Sequence, residues 1–452
     1  MRASGRQALV IGMGKSGIAA AIFLRNKGME VTICDDKDSS ELKDSLKKLE
    51  ELDLKIITGG YPAVTNDEYH FIFVSPGVPL NVEPVKSAHQ VGLPVLGELE
   101  LLAEFCKAPV VAITGTNGKT TTTALTGELL NDGRRRVVVG GNIGTTILEQ
   151  MGEITANSIV VAEVSSFQLE TTDAFKPKVA IILNVTPDHL DRHLTYENYL
   201  AAKSRIFQNQ DKEDFLIINY DQLDLRQLGH IAKGKVIFFS RVHILEEGVF
   251  VLDNNIVARL NGMETVICPI EKIRIKGSHN LENSLAAIAA AIVVGVDLEH
   301  INLTVASFPG VAHRLEPVAE INGVQYINDS KGTNPDATDK ALAAFDQPII
   351  LIAGGKDKGS SFEELLIKNS HRIKAIVVIG ETTPQIITAA IAAGIKKVKS
   401  EHSFENAVTT ASSLAAAGDV VLLSPACASW DMFKNYEERG DLFKKLVMEL
   451  RG

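Results

Sequence analysis

Thr114-Gly115-Thr116-Asn117-Gly118-Lys119-Thr120-Thr121 has the residue types and spacing of a phosphate cradle. It stands between an apolar, β-rich run from Pro109 to Ile113 and a helix-like run from Thr122 to Leu130. In a strand, glycine-rich loop and helix, backbone N–H groups of the loop and helix start converge on an anion. The expected ATP loop is Gly115, Thr116, Asn117, Gly118, Lys119, Thr120 and Thr121. In it Lys119 reaches the β/γ-phosphates and the Thr120 hydroxyl binds Mg²⁺. The loop departs from G-x-x-x-x-G-K-[ST] at one place, where Ile113 replaces the first glycine. A bare Gly-Lys-Thr is common in surface turns; the strand before it and the helix after it carry the reading.

Other segments offer groups that suit a nucleotide and a hard cation. Val160 to Leu169 places Glu163 at the end of a buried strand, where a carboxylate can hold Mg²⁺, which binds through few carboxylates, waters and phosphates. Gly140-Gly141-Asn142-Ile143-Gly144 reads as a second loop of small residues. In Asn184 to His193, His189 suits a metal or a phosphate. Lys203, in Ala201 to Ile206, lies on a helix and by itself reads as a solvated surface residue. Asn280 and Asn283 are three apart on one helix face and suit a base edge, or Asn280 caps the helix. Further on, Ala312 to Glu316, Asn328 to Pro335, Gly354 to Gly359, Ser424 to Asp431 and Phe433 to Tyr436 are rich in cations and hydroxyls, which suits anionic groups.

Near the start, Gly12-x-Gly14-x-x-Gly17 follows a strand and opens a helix, with Asp35 at the end of the next strand. This is a dinucleotide fingerprint. What it selects physically is a pyrophosphate at a helix N-terminus, which a nucleotide-diphosphate sugar presents as well as NAD does. A purely structural tight turn is the remaining reading.

The elements that position these groups alternate. Strands are expected at Gln7 to Ile11, Glu30 to Asp35, Phe71 to Ser75, Ser158 to Ala162, Val179 to Asn184, Phe215 to Asn219 and Val236 to Phe239. Helices are expected at Ile18 to Lys27 and Leu281 to Val294. Phe308-Pro309-Gly310 reads as a linker. Strands at Gln325 to Asn328, Ile349 to Ala353, Ala375 to Ile379 and Val420 to Leu423 follow it. Alternating β and α with apolar strands predicts parallel sheets covered on both faces. The expected fold is α/β in three domains, 1–98, 99–310 and 311–452. The first and third are Rossmann-like and the second is a P-loop-type ATPase domain. At about 100–200 residues per domain, 452 residues accommodate this. Hydrophobic content of 45% and charged content of 23% are those of a soluble globular chain. A net charge of −10 speaks against general nucleic-acid binding. The N-terminal residues lack the apolar stretch of a secretory signal, and no run is long enough to span a membrane. Cys34, Cys106, Cys268 and Cys427 are scattered, as expected of buried thiols in a reducing cytoplasm. A cytoplasmic monomer is the expectation.

Taken together, these residues resemble the Mur ligases of peptidoglycan synthesis over essentially the whole length. Thr114-to-Thr121, Gly141-to-Gly144, Glu163-to-Leu169, Asp188-His189 and His279-Asn280 look like the family's shared core. Asn328-to-Asn334, Ser424-to-Ser429 and Phe433-to-Tyr436 resemble the branch that adds D-glutamate. The relatives that add diaminopimelate or lysine carry a Tyr-Ala-His type sequence in place of Asp329-Ser330-Lys331. The resemblance implies an amino-terminal UDP-binding domain, a central ATPase domain and a mobile carboxy-terminal domain that brings the amino acid. The implied substrates are UDP-N-acetylmuramoyl-L-alanine, D-glutamate and ATP with two Mg²⁺ ions. By the family pattern Gly14, Lys15, Ser16, Asp35, Asp36, Ser75, Gly77 and Asn142 would hold the UDP-sugar. Thr120, Glu163, His189 and Lys203 would serve the metals, Lys203 as a CO₂-derived carbamate. Lys119, Glu163, His189, Lys203 and Arg314 would be the catalytic set. Asn280, Asn283, Arg314 and Asp329 would complete the ATP site. Lys331, Thr333, Lys358, Ser429 and Tyr436 would recognise D-glutamate, with Lys356 competing for the role of Lys358. A carbamate requires a neutral amine, so Lys203 would need burial or a cationic neighbour. Two rivals remain: a sister ligase, including a folylpolyglutamate synthetase, and a nucleotide-gated binding protein without ligation. A NAD oxidoreductase would respond to nicotinamide, and no such response is expected.

Overall fold

The computed structural model describes residues 5–142, 144–357 and 359–451. Ile143 and Lys358, the latter an expected D-glutamate contact, lie outside the described residues. The chain forms two compact units, Met1–Lys272 with Glu282–Ala306, and Ile273–Leu281 with Ser307–Gly452.

The first unit holds two sheets. The smaller has the strand order Lys55–Ile57, Glu30–Cys34, Gln7–Ile11, Phe71–Val74, Val95–Leu96, with every pairing parallel. Beyond Gln7, its two central strands, Gln7–Ile11 and Phe71–Val74, are apolar on both faces because both faces are covered. Ala8, Val10, Phe71 and Phe73 pack into one core, and Leu9, Ile11, Ile72 and Val74 into another. Chain direction across the sheet reverses between Gln7–Ile11 and Phe71–Val74, which opens a crevice at their carboxyl ends. Gly12 to Gly14 and Ser75 stand at that crevice.

The larger sheet has nine strands: Met263–Pro269, Asn255–Leu260, Gly248–Leu252, Lys235–Ser240, Phe215–Asn219, Val179–Ile182, Val110–Thr114, Ser158–Glu163 and Arg136–Gly141. Strand Val110–Thr114 lies parallel between Ser158–Glu163 and Val179–Ile182, so the residues after it emerge at a switch point. The sheet's last three strands in chain order, Gly248–Leu252, Asn255–Leu260 and Met263–Pro269, form an antiparallel meander absent from the sequence reading. Its signals were two-residue turns, Asp253-Asn254 (φ 46° and 60°) and Asn261-Gly262 (φ 52° and 75°). Asn and Gly populate this region, and such turns fit the twist of a hairpin. Gly140 and Gly141, read as a loop, instead end strand Arg136–Gly141. Gly141 has φ 105°, and a Cβ there would stand 2.3 Å from the Glu163 carbonyl oxygen. Its small size serves strand approach, and the loop begins at Asn142.

The second unit carries a six-stranded sheet: Glu316–Ile321, Val324–Asn328, Val420–Leu423, Ile349–Ala353, Ile373–Val378, Val398–Ser400. Only the first pair is antiparallel. Three central strands therefore point their carboxyl ends the same way and bring the loops after Asn328, Ala353 and Leu423 together. Among the described residues no helix is long and apolar enough to cross a membrane.

Candidate active site

Strand Val110–Thr114 delivers the chain into a tight loop, and helix Lys119–Leu130 begins at its end. Gly118 caps the helix at φ 84°, a left-handed conformation that favours glycine. The helix has no acidic residue in its first turn, which leaves its positive end to an anion. Asn184 braces the loop on both sides of Asn117: Asn117 N donates to its Oδ1 at 2.9 Å, and its Nδ2 donates to the Asn117 carbonyl at 3.1 Å. Lys119 Nζ donates to the carbonyls of Gly115 and Thr116, both at 2.8 Å. Thr120 is buried in the helix's first turn.

Beside this loop, Glu163 ends its strand at 2% exposure. Asn142 Nδ2 donates to its Oε1 at 3.0 Å, whereas Oε2 is buried without a hydrogen-bond partner. A buried, half-satisfied carboxylate is costly unless a cation joins it, so this donor fits Mg²⁺. Among the described residues no cluster of three or more His, Cys, Asp or Glu side chains forms a ready-made metal cage. Bound phosphates and waters would have to supply the remaining ligands, the usual coordination of Mg²⁺.

Lys203 departs most from its reading as a solvated helix residue. It lies on helix Tyr196–Ser204 at 1% exposure. Its Nζ donates to the Gly115 carbonyl at 2.9 Å and to Thr114 Oγ1 at 3.5 Å, and lies 4.5 Å from the Tyr199 ring centroid. Burial, reinforced by the Lys119 charge, holds its amine well below the usual lysine range, against opposing pulls from Asp188 and Glu163. Solitary position on a helix hides this, because only the packing of Tyr199 and the phosphate loop covers the amine.

His189 adopts φ 52° at the start of the short helix Leu190–His193. Its ring packs edge-on to Phe167, with centroids 4.9 Å apart, and its Nε2 lies 3.6 Å from Asp188.

In the smaller sheet's crevice, Gly12 has φ 96°, and a Cβ on Gly17 would meet the Gly12 carbonyl at 1.8 Å. The glycines thus permit helix Lys15–Asn26 to press against the first strand. Ser75 Oγ donates to the Gly12 carbonyl at 3.1 Å. Asp35 differs from a free ribose ligand, since its Oδ2 accepts from Met13 N at 2.7 Å and its Oδ1 from Lys37 N at 3.1 Å. It braces the glycine turn. Burial, reinforced by the charges of Asp36 and Asp35, pushes the nearby Tyr61 hydroxyl up to about 12. Lys15 Nζ donates to the Gly144 carbonyl. Gly14 caps the helix, Ser16 follows in its first turn, and Gly77 is exposed beyond Ser75.

The second unit gathers a separate set. Asp329 accepts from Ser424 Oγ at 2.7 Å and from Leu315 N at 3.2 Å. Burial raises its carboxyl to about 6, against the pull of the Ser424 bond and the Arg314 charge. Arg314 Nε is buried without a hydrogen-bond partner, and Arg314 and Asn280 line a cavity of about 410 Å³ with Lys276, Phe345 and Pro317. Asn280 Nδ2 donates to the Lys276 carbonyl at 2.8 Å. Asn283, in the first unit, lies against Gly118, where a Cβ would meet its Oδ1 at 2.2 Å. Lys331 Nζ lies 5.3 Å from the Tyr436 ring centroid, and Thr333 N donates to the Lys331 carbonyl at 2.9 Å. Ser429 is buried at the next loop. Lys356 pairs with Glu381 at 2.8 Å, so this cation already has an acidic partner.

The sequence reading missed three positions. Buried Arg439 donates through Nε to Ser330 Oγ at 3.0 Å and through Nη2 to the Cys427 carbonyl at 3.3 Å, tying two loops together. Buried Glu98 accepts from Ile147 N at 3.1 Å and Gln168 Nε2 at 3.0 Å. Arg192 bonds the loop after Ser75. Arg192 stood in a segment dense with ionisable groups, which was its signal; Glu98 had only a charge amid apolar neighbours, and Arg439, flanked by Glu437, Glu438 and Asp441, read as an ordinary charged helix residue.

The family model of the Mur ligase MurD-like N-terminal domain matches residues 6–97, that of the Mur ligase middle domain 113–291, and that of the Mur ligase glutamate ligase domain 313–427. The chain is 49% identical over 446 residues to the UDP-N-acetylmuramoylalanine–D-glutamate ligase of Pelotomaculum thermopropionicum, covering 99% of this chain and 98% of the relative. It is 45% identical over 453 residues to the ligase of the same name from Thermoanaerobacter sp., covering 100% of both. A crystal structure of UDP-N-acetylmuramate-alanine ligase from Thermotoga maritima shares the fold, with a TM-score of 0.60 at 20% identity over 98% of this chain and 99% of that one. With three matched models in succession and relatives nearly half identical from end to end, the chain belongs to the Mur ligase family.

Proposed function

We propose that this chain is an ATP-dependent, ADP-forming ligase that joins D-glutamate to UDP-N-acetylmuramoyl-L-alanine in peptidoglycan precursor synthesis. The observation that carries the reading is the full-length identity of 49% to a relative named for that activity. A carboxylate does not react with an amine at neutral pH, so it must first be activated. The L-alanyl carboxylate attacks the ATP γ-phosphate, forming an acyl phosphate and releasing ADP. The D-glutamate amine then attacks the acyl carbon, phosphate leaves, and the amine gives up a proton.

Phosphoryl transfer asks mainly for positioning and charge neutralisation. We assign Lys119 and the backbone from Gly115 to Thr121 to the ATP phosphates, with Asn280, Asn283, Arg314 and Asp329 completing the nucleotide site. Thr120, Glu163, His189 and Lys203 as a carbamate would hold two Mg²⁺ ions, which when bound neutralise the phosphate charge. The orphaned Glu163 Oε2 and the depressed Lys203 amine support that assignment. Gly14, Lys15, Ser16, Asp36, Ser75, Gly77 and Asn142 would hold the UDP-sugar, with Asp35 acting through the glycine turn it braces. Lys331, Thr333, Lys358, Ser429 and Tyr436 would hold D-glutamate; the Glu381 pairing of Lys356 speaks against Lys356 as the competing cation. The four cysteines are free thiols, which suits a reducing cytoplasm.

The test is phosphate release with ATP, Mg²⁺ and UDP-N-acetylmuramoyl-L-alanine, comparing D-glutamate, L-glutamate, L-lysine and meso-diaminopimelate. Release dependent on D-glutamate, with a product heavier by one glutamyl residue, is expected. Release with another amino acid would overturn the substrate assignment, and release with none would favour a nucleotide-gated binding protein.

A further inference from the structure

Arg192 makes contacts that neither substrate chemistry nor simple core packing requires. Its guanidinium edge carries two jobs. Nε and Nη2 donate to Glu170 Oε2 at 3.1 Å and 2.5 Å. Nη1 donates to the carbonyls of Pro76 at 3.1 Å and Val78 at 3.2 Å. Its face lies 4.6 Å from the centroid of the Phe167 ring. That same ring packs edge-on against His189, at 4.9 Å and 65°. One planar cation therefore joins the loop after Ser75, the strand-to-helix segment after Glu163, and the loop carrying His189. A fixed fork with several donors and a stackable face does this; a point-charge ammonium does not.

We infer that Arg192 is a positioning residue that holds the UDP-sugar loop in register with the phosphate-transfer site, acting through the Pro76 and Val78 carbonyls on one side and the Phe167–His189 ring pair on the other. The inference rests on the proposed function. Both ends need the link. The 75–78 loop follows a strand of the small sheet, whereas His189 follows a strand of the large one, so no backbone ladder fixes their separation. His189 also sits at φ 52°, a conformation that surrounding contacts must sustain. The side chain of Arg192 is only 16% exposed and Glu170 19%, so the pair is shielded enough to hold one geometry. The reacting carboxylate belongs to the substrate held by the first loop, and the phosphate belongs to the second site. Displacement of one against the other by a fraction of an ångström affects the transfer rate more than either binding step.

The experiment compares full-length wild type, Arg192→Ala, Arg192→Lys and Glu170→Gln. Equilibrium binding of UDP-N-acetylmuramoyl-L-alanine and of ATP is measured separately, alongside acyl-phosphate formation at saturating substrates and thermal unfolding. Arg192→Ala is expected to slow acyl-phosphate formation about 30- to 100-fold. UDP-sugar affinity should fall by about tenfold or less, with ATP affinity within about twofold and little change in Tm. Arg192→Lys should recover only part of the rate, because it cannot serve Glu170 and both carbonyls at once. Glu170→Gln, which leaves Arg192 its carbonyl bonds, should fall between. If Arg192→Ala is folded and transfers phosphate within about twofold of wild type, the inference is overturned. If Arg192→Ala does not fold, Arg192→Lys decides; a folded lysine variant with wild-type rate overturns it equally. A uniform loss of both affinities with a lowered Tm would mean a general structural role and also overturn it. Wild type that ligates nothing sinks the functional reading itself, whereas an active wild type with an unaffected Arg192→Ala sinks only this one.

Discussion

Lys119 and Lys203 both donate to the carbonyl oxygen of Gly115, at 2.8 Å and 2.9 Å. Two ammonium groups on one oxygen repel, and the structure resolves the conflict asymmetrically: burial and the Lys119 charge disfavour protonation of Lys203. The cation assigned to the phosphates thus favours the neutral form of the buried amine, the form that can capture CO₂. Lys119→Ala should abolish acyl-phosphate formation, by about 10³-fold or more, because charge stabilisation at the transferring phosphate is lost. UDP-sugar binding should change by less than about threefold, since the residues assigned to that site stand mainly at the smaller sheet and exclude Lys119. Isothermal titration with the UDP-sugar, beside a phosphate-release assay, separates the two; a lost UDP-sugar affinity would contradict the assigned roles.

Lys203→Met gives a pH signature with a definite sign. The folded-state pKa of Lys203 is depressed, so over the interval between it and the unfolded value the unfolded chain binds more protons. Stability from this group therefore rises with pH across that interval and is lowest below it. The methionine variant, in CO₂-depleted buffer, should be more stable than wild type at neutral pH, and this advantage should shrink as pH approaches about 10. Urea unfolding of both proteins from pH 7 to 10 measures it. A variant less stable than wild type at pH 7 would mean that the amine is not strained by burial. Activity should be lost at every pH, with restoration by a short carboxylic acid but not by bicarbonate alone.

Much of this was legible in the sequence for a physical reason. Buried parallel strands have to be apolar on both faces, so Val110 to Thr114 and Ile349 to Ala353 announced themselves, and Gly118 with Lys119 marked the turn from a strand into a helix. What stayed hidden depends on the third dimension. The depressed amine of Lys203 comes from burial and from the charge of Lys119, which meets it at the Gly115 carbonyl, 88 positions away in sequence. Asp35 has the right spacing for a ribose, yet its oxygens go to Met13 and Lys37 backbone. Spacing locates a carboxylate but does not show what has already claimed it. The hairpins at Asp253-Asn254 and Asn261-Gly262 were missed despite local turn signals, because the third strand is mostly exposed over its first half and breaks the apolar pattern.

Glu163→Gln tests the orphaned oxygen. The amide keeps the shape and the Asn142 contact but removes a buried charge. Stability should be unchanged or slightly higher, because the wild-type carboxylate stands half-satisfied without a cation. Ligation should fall by about 10²-fold or more. The diagnostic readout is the ratio of ATP affinities with and without Mg²⁺, which should be large for wild type and close to one for the variant. Retention of a wild-type Mg²⁺ effect would remove Glu163 from the metal site.

Asp329 should produce an acid response opposite to that of a salt-bridged carboxylate. Its carboxyl is raised from 3.8 to about 6 in the fold. Between about pH 4 and 6 the folded state holds a proton that the unfolded chain has released, so stability contributed by this group is present at low pH and lost as pH rises through 6. Asp329→Asn removes that dependence. The stability difference, wild type minus variant, should decline by roughly 3 kcal/mol between pH 4 and pH 7 in denaturant titrations. A difference that grows with pH would show that Arg314 pairing outweighs burial at this carboxylate.

Gly118→Ala tests the phosphate loop's backbone. At φ 84° an alanine is strained by roughly 1–2 kcal/mol, and its Cβ would stand 2.2 Å from Asn283 Oδ1. Both effects act on the same helix start that is assigned to the phosphates. The variant should lose stability and raise the KM for ATP by about tenfold or more, while UDP-sugar binding stays near wild type. The double variant Gly118→Ala with Asn283→Ala separates the two causes. Removing the Asn283 amide relieves the collision but not the backbone strain, so part of the stability should return, giving a non-additive pair. ATP affinity should not return, because Asn283 is itself assigned to the nucleotide. Additive stability losses in that cycle would mean that the two residues do not meet, and recovery of ATP affinity would take Asn283 out of the ATP site.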